Sequence, residues 1–303
     1  MIHQSLTDLI GKTPLLRLNA FAPDHQILAK CEFMNPVSIK DRPVREILLQ
    51  GEARGDLKKG GTIIEATSGN TGMALASLGN RLGYRVIIVM SEIQSVERRM
   101  VMKALGAEVV LTPAALGTKG AKARLDELCA ENPDYFYLGQ HISADNPKAH
   151  YRTTGPEIWE DTAGKVDILI AALGTGGTIS GAGRYLKEQN PAVQCIAIEP
   201  EVAPYISQGI FSPHRIMGTA PGFVPEAMDQ SVIDSFELIS EEEAFATCRE
   251  VAASEGVLVG ITSGANAAVA RRVAQRPENE GKTIVCIFCD TGERYLTVEG
   301  LFD

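Results

Sequence analysis

Residues 62–90, TIIEATSGNTGMALASLGNRLGYRVIIVM, contain a strand, a turn, a helix and a second strand in immediate succession. Thr62-Ile-Ile-Glu65 and Arg85-Val-Ile-Ile-Val-Met90 are β-branched runs of strand length, and between them residues 71–82 carry the amphipathic spacing of a helix. Two strands joined through a helix lie parallel, because the helix is the crossover that returns the chain to the same edge of the sheet. The pattern continues outward in both directions. Strands are predicted at 108–111, 167–171, 194–198 and 283–289, and helices over 41–54, 95–105, 118–131, 178–189, 241–254 and 264–275. Ser240 and Glu243 have the spacing of a capping box at one helix start. The alternation predicts an α/β fold of mostly parallel sheets covered by helices. One strand group spans about residues 60–140 and another about 165–290, so a ligand is expected in a crevice between two sheets.

The bulk properties narrow the function. A chain of 303 residues suits two α/β domains of ordinary size. With 38 acidic and 29 basic side chains, the formal charge of -9 would repel a phosphate backbone, and nucleic acid is not expected as a partner. Met1-Ile2-His3-Gln4-Ser5 lacks the basic start and apolar stretch of a secretion signal. No apolar run is long enough to span a bilayer, so a cytoplasmic protein without membrane contact is expected. Of six cysteines only Cys286 and Cys289 share a C-x-x-C spacing. They fall in an apolar run whose pleat sends them to opposite faces, which favours core packing over a metal site.

The chemistry lies in the turns. Thr67-Ser68-Gly69-Asn70-Thr71-Gly72 joins the strand ending near Glu65 to a helix opening at Thr71. Such a turn exposes the first N–H groups of the helix at its positive end, and hydroxyl and amide side chains add donors. It suits a carboxylate, since no lysine is there to counter a polyphosphate; alone it reads equally as a capped helix start. Gly174-Thr175-Gly176-Gly177-Thr178 follows the strand at 167–171, and its glycines and threonines form a cup for a terminal phosphate. As a dinucleotide fingerprint it fails, because Ile179 stands where a third glycine is required. Gly11-Lys12-Thr13 likewise fails as a P-loop: Leu6 occupies the first glycine position, and Pro14-Leu15-Leu16 continues extended instead of helical.

Ser38-Ile39-Lys40-Asp41-Arg42-Pro43 stands just before a predicted helix. In isolation Lys40 is one of 29 basic residues. Beside a carboxylate-binding turn and a monophosphate cup, it supplies the amine that a pyridoxal-phosphate (PLP) enzyme needs. Gly260-Ile261-Thr262-Ser263-Gly264-Ala265 precedes a small-residue helix, where Ser263 is either an N-cap or the partner of a pyridine nitrogen. A hydroxyl in that place leaves the nitrogen largely unprotonated. The ring is then a weaker electron sink, which favours loss of a β leaving group over racemisation or transamination.

Taken together these segments resemble the β-family (fold type II, tryptophan synthase β-like) PLP enzymes, in particular the group of cysteine synthase (O-acetylserine sulfhydrylase) and cystathionine β-synthase. The resemblance runs nearly end to end, through Ile10-Gly-Lys-Thr-Pro-Leu15, the turns above, Asp145-Asn-Pro147, Thr154-Gly-Pro-Glu-Ile158 and Asp290-Thr-Gly-Glu-Arg-Tyr-Leu296. It implies two three-layer α/β/α domains with the cofactor in the cleft between them: a smaller, movable one over 41–145 and a larger one from 1–40 plus 146–303. It also implies that Lys40 is the Schiff-base lysine and the acid/base at Cα, that Asn70 bonds the cofactor's 3′ oxygen, and that Gly174, Thr175, Gly176, Gly177 and Thr178 hold its phosphate. Ser263 would face the pyridine nitrogen, and Thr67, Ser68, Gly69, Thr71 and Gln140 would bind the substrate carboxylate.

The implied reaction is replacement of acetate in O-acetyl-L-serine by sulfide, through an aminoacrylate, to give cysteine. Cystathionine or lanthionine formation, sulfide release from cysteine, 2,3-diaminopropionate synthesis and a catalytically silent ligand-binding relative are the alternatives. A homodimer, and possible docking of serine acetyltransferase, follow from the same resemblance. Three departures from the family stand out. Asn35-Pro36-Val37-Ser38 has one residue where relatives have two, which is expected to reshape the approach to Lys40. Met217-Gly-Thr-Ala-Pro-Gly-Phe223 replaces a more glycine-rich loop, with Pro221 expected to stiffen it. His141 follows Gln140 where many relatives have an aromatic residue.

Overall fold

The computed structural model describes residues 2–303. In chain order its strands are β1 (Leu15–Arg17), β2 (Gln26–Cys31), β3 (Thr62–Ala66), β4 (Arg85–Ser91), β5 (Glu108–Thr112), β6 (Phe136–Tyr137), β7 (Ile168–Ala172), β8 (Gln194–Pro200), β9 (Ser235–Ile239) and β10 (Thr283–Phe288). The helices are α1 (Asp41–Arg54), α2 (Asn70–Arg81), α3 (Val96–Ala104), α4 (Gly117–Glu131), α5 (Asp145–Arg152), α6 (Thr154–Asp161), α7 (Gly177–Gln189), α8 (Tyr205–Gln208), α9 (Glu241–Glu255) and α10 (Ile261–Ala274). Contacts divide the chain into two compact units. One takes the chain up to Ile10 with Lys40–Asn146, the other Gly11–Ile39 with Pro147–Asp303.

The smaller unit is built on a four-stranded parallel sheet, β5-β4-β3-β6. Ile64, Ile87 and Val89 face α4 through Ala121 and Leu125. On the other face α2 comes so close that a Cβ at Gly79 would lie 2.5 Å from Val86 Cγ2. The chain up to Ile10 joins this unit because the Arg45 guanidinium donates to the carbonyls of Thr7 and Ile10, both at 3.2 Å.

The larger unit carries a six-stranded sheet, β1-β2-β10-β7-β8-β9, parallel except for β1. Pleating divides its side chains between two cores. Ile168, Ile170, Ile196, Ile198, Ile284, Cys286 and Phe288 pack with α9 and α10, whereas Leu169, Ala171, Cys195, Ala197, Val285 and Ile287 pack with α6 and α7. Cys286 belongs to the first core and Cys289 lies against the second, as their odd spacing requires. All six cysteines are free, and Cys31, Cys195, Cys248 and Cys286 are buried. Among the described residues no group of His, Cys, Asp and Glu is placed to hold a metal, and no helix is long and apolar enough to cross a membrane.

The predicted strands and long helices are present, with ends displaced by a few residues. Two local expectations change. Ser240 Oγ accepts from Glu243 N at 3.0 Å, but the Glu243 carboxylate is engaged by Arg272 at 3.0 Å, so the expected capping box exists as its serine half. Helix α10 begins at Ile261 with Gly260 as its cap, which places Ser263 inside the first turn instead of at the cap.

Strand β2 went unpredicted because Lys30 interrupts its apolar run. That lysine is fully buried, donates to the Thr13 carbonyl, and meets Glu157 at 2.9 Å and Asp161 at 3.5 Å on α6. Lys30→Ala would leave Glu157 facing an emptied pocket. It is expected to cost about 3 kcal/mol, the low end for opening a buried ion pair, because Asp161 is half exposed. Urea unfolding at neutral pH measures it.

Candidate active site

In the smaller unit the turn after β3 becomes the start of α2. Gly69 is the cap and, having no side chain, makes no side-chain cap bond, while Gly69 N itself donates to Thr67 Oγ1 at 3.3 Å. Asn70 is the first helical residue, one earlier than predicted. Gly72 is closely packed: a Cβ there would press on the terminal methyl of Met102 at 2.6 Å and on Thr67 at 3.1 Å. Arg98 on α3 holds the Ser68 carbonyl at 3.4 Å. Thr71, buried, donates its hydroxyl to Gln140 Oε1 at 2.6 Å, so two residues 69 positions apart meet in one place.

Lys40 immediately precedes α1 and its carbonyl accepts from Val44 N at 3.1 Å. His141 lies within electrostatic reach of it. Burial, and then the Lys40 charge, push the imidazole down to about 4, so it is neutral at pH 7. The turn that carries it closes through Ile142 N and Ser143 N, which donate to Gly139 O at 3.0 and 2.8 Å.

In the larger unit the cup opens α7. Gly176 has φ +74, and a Cβ there would overlap Met228 at 2.4 Å; one at Gly174 would lie 2.3 Å from the Gly218 carbonyl oxygen. Bare backbone is therefore the only surface that fits. Gly177 N donates to Thr175 Oγ1 at 3.3 Å, and Thr178 Oγ1 lies 3.3 Å from His150 Nε2. The His150 ring is fixed in turn by Thr154 at 2.9 Å.

The 216–220 loop is fastened beside the cup. Thr262 Oγ1 donates to Met217 O and Ala220 N to Leu173 O, each at 2.7 Å. Ser263 is fully buried, and its Oγ accepts from Cys289 N at 2.9 Å. Having accepted once, the hydroxyl keeps its proton to donate.

The C-terminal motif, quoted above only for its resemblance, has a structural task. Asp290 accepts from Tyr295 Oη at 2.5 Å and crowds Gly260 at the start of α10, where a Cβ would sit 2.1 Å from Asp290 Oδ1. Arg294 donates to Val37 O at 2.5 Å, and Ile39 N to Cys289 O at 3.0 Å, which fastens the shortened segment leading into Lys40. His150 had no signal in the sequence, and Arg294 lay in a motif that gave it no task, because Thr178 and Val37, which they hold, stand 28 and 257 residues away.

These groups suit PLP. A thirteen-residue helix offers its start through a glycine cradle that admits no Cβ, with neutral N–H and O–H donors that match a phosphate, and a buried hydroxyl retains a proton for a ring nitrogen. A model of the pyridoxal-phosphate dependent enzyme family matches residues 6–290, and the chain belongs to that family. It is 42% identical to a cysteine synthase of Buchnera aphidicola over 98% of both chains. Among solved structures, O-ureido-L-serine synthase superposes with a TM-score of 0.95 at 42% identity, covering 99% of this chain and 95% of that one. A cysteine synthase from Entamoeba histolytica superposes with a TM-score of 0.95 at 41% identity, covering 98% and 90%.

Proposed function

We propose that the protein exchanges the acetate of O-acetyl-L-serine for sulfide, giving L-cysteine, with Lys40 as the residue that moves the Cα proton. PLP, when bound, supplies an electron sink for the Cα carbanion and a carbonyl carbon for an amine. Gly174 to Thr178 would hold its phosphate, Asn70 its 3′ oxygen, Ser263 its ring nitrogen and Lys40 its carbonyl carbon. Thr67, Ser68, Gly69, Thr71 and Gln140 would bind and orient the amino-acid carboxylate, so that the Cα–H bond faces the Lys40 amine. Lys40 takes that proton as the acetate oxygen departs from Cβ, and returns it to Cα after the sulfur has bonded to Cβ. His141, uncharged at pH 7, does not add a second cation beside this amine.

The observation that carries the β-replacement reading is that the group proposed to face the ring nitrogen is the neutral hydroxyl of Ser263, held by Cys289 N with its proton free to donate, and not a carboxylate that would keep that nitrogen protonated. A donor keeps the ring nitrogen unprotonated and the electron sink weak, so the β-substituent leaves before Cα is reprotonated from the wrong side. The similarity to cysteine synthases supports acetate as the leaving group and sulfide as the acceptor. A homodimer and docking of a serine acetyltransferase are the assembly proposed on the same grounds.

The test offers O-acetyl-L-serine, O-phospho-L-serine and L-serine in turn, with sulfide, homocysteine or ammonia as the second reactant. Formation of L-cysteine from O-acetyl-L-serine and sulfide at a kcat/KM at least ~10-fold above every other pair is expected. A clear preference for serine or O-phosphoserine overturns the assignment of the leaving group.

A further inference from the structure

Glu65 ends β3 and is buried, 2% exposed, in the smaller unit. Nothing in the reaction above uses it. Its carboxylate accepts from Ala66 N at 2.9 Å and from Gln140 N at 3.3 Å, and the Gly139 amide donates to it as well. One side chain thus binds the strand that feeds the Thr67–Thr71 turn to a second turn 75 residues further on.

Gln140 is fixed at every polar atom but one. Its N–H is taken by Glu65, its carbonyl accepts from Asn146 Nδ2 at 2.7 Å, and its Oε1 accepts from the Thr71 hydroxyl at 2.6 Å. The remaining Nε2 hydrogens have no partner among the described residues. An amide whose oxygen is already occupied presents only donors outward, which is the sign an amino-acid carboxylate requires.

We infer that Glu65 is a positioning residue for carboxylate recognition: by gripping the 139–140 peptide from behind it holds the Gln140 amide donor-outward beside Thr71. The inference rests on the proposal that Gln140 binds the substrate carboxylate. It adds a residue that touches neither substrate nor cofactor.

The arrangement has a dependence on pH. Burial raises the Glu65 carboxyl to about 7, against the pull of its three backbone donors and of Lys122. Lys122, over the Tyr137 ring at 4.9 Å, is the cation facing it from α4; Tyr137 on β6 and Cys129 on α4 are the other titratable groups that sense its charge. Protonation converts one accepting oxygen into a donor and loosens the grip on the 139–140 turn.

The experiment uses the PLP-loaded enzyme and reads apparent affinity from the absorbance change on adding L-serine or L-serinamide, which differ in the carboxylate. Glu65→Gln is expected to weaken L-serine at least ~10-fold while L-serinamide stays within about twofold. Gln140→Ala is expected to do the same, and the double variant to be no worse than Gln140→Ala alone. The ratio of parent to Glu65→Gln affinity for L-serine should shrink as pH falls through 7. Glu65→Asp, which keeps the charge but withdraws it from the turn, guards against a Gln variant that fails to fold and should lose L-serine in the same selective way. Equal losses for both ligands, or effects of Glu65→Gln and Gln140→Ala that multiply, overturn the inference. A parent enzyme that binds L-serine yet ignores O-acetyl-L-serine refutes the proposed substrate and leaves this test intact.

Discussion

Lys40→Ala is expected to lower turnover of O-acetyl-L-serine and sulfide by at least ~10³-fold, the scale of a lost proton-transfer group combined with a lost covalent anchor. The purified variant should also lose the yellow colour of a lysine-bound cofactor, and borohydride should no longer fix a pyridoxyl group at position 40. The backbone around this lysine is held from both sides. Ile39 N donates to Cys289 O, the Lys40 carbonyl accepts from Val44 N, and Arg294 holds Val37 O two residues before Ile39. Truncation of the side chain should therefore leave the fold intact, so a normal unfolding midpoint is part of the expected result. Small amines added to the variant should restore some proton transfer, because the missing group is an amine and its site is preserved. A variant as coloured and active as the parent would remove Lys40 from the mechanism.

The second large effect is expected at Gly174. A methyl group there would sit 2.3 Å from the Gly218 carbonyl oxygen, an atom of backbone whose loop is fastened by Thr262 to Met217 and by Ala220 to Leu173. Neither side can yield cheaply, so Gly174→Ala is expected to displace the phosphate donors and weaken PLP about 100-fold, near 3 kcal/mol. Titration of the apo-enzyme with PLP measures it. Gly183→Ala is the control on the same helix: its Cβ would press on Cys195 and Val232 in the core, which costs stability but leaves the cup untouched. If both variants bind PLP alike, the glycine cradle is not what holds the phosphate.

Glu65 adds a dependence of stability on acidity that can be signed. Its carboxyl titrates near 7 in the folded protein and at about 4.5 when unfolded, so between these values the folded state holds the extra proton. Stability contributed by the neutral carboxyl is complete below about 4.5 and is lost as pH rises through 7.

The features legible in the sequence were those governed by neighbours in the chain. The glycine-rich turns announced themselves because backbone that must approach an anion tolerates few residue types, and β-branched runs marked the central strands. Strand β2 escaped because Lys30 owes its burial to Glu157 and Asp161 on α6, partners that no local window contains. Strand β9, an edge strand of mixed polarity, and β6, only two residues long, carry too little period to stand out. Helices α5 and α6 each have a proline in the first turn, where it is harmless to the helix but reads as a breaker. The roles of Glu65 and Arg294 were invisible for a related reason: the turn and the loop that they hold lie 75 and 257 residues away.

The deep placement of the cysteines has a consequence for an enzyme that handles reduced sulfur. Burial lifts the Cys31 thiol to about 11 and those of Cys195 and Cys248 to about 12. At neutral pH only ~10⁻⁴ or less of each is the nucleophilic anion. These three buried sulfhydryls are thereby kept from mixed-disulfide exchange with the proposed product and from persulfide chemistry in sulfide that has begun to oxidise.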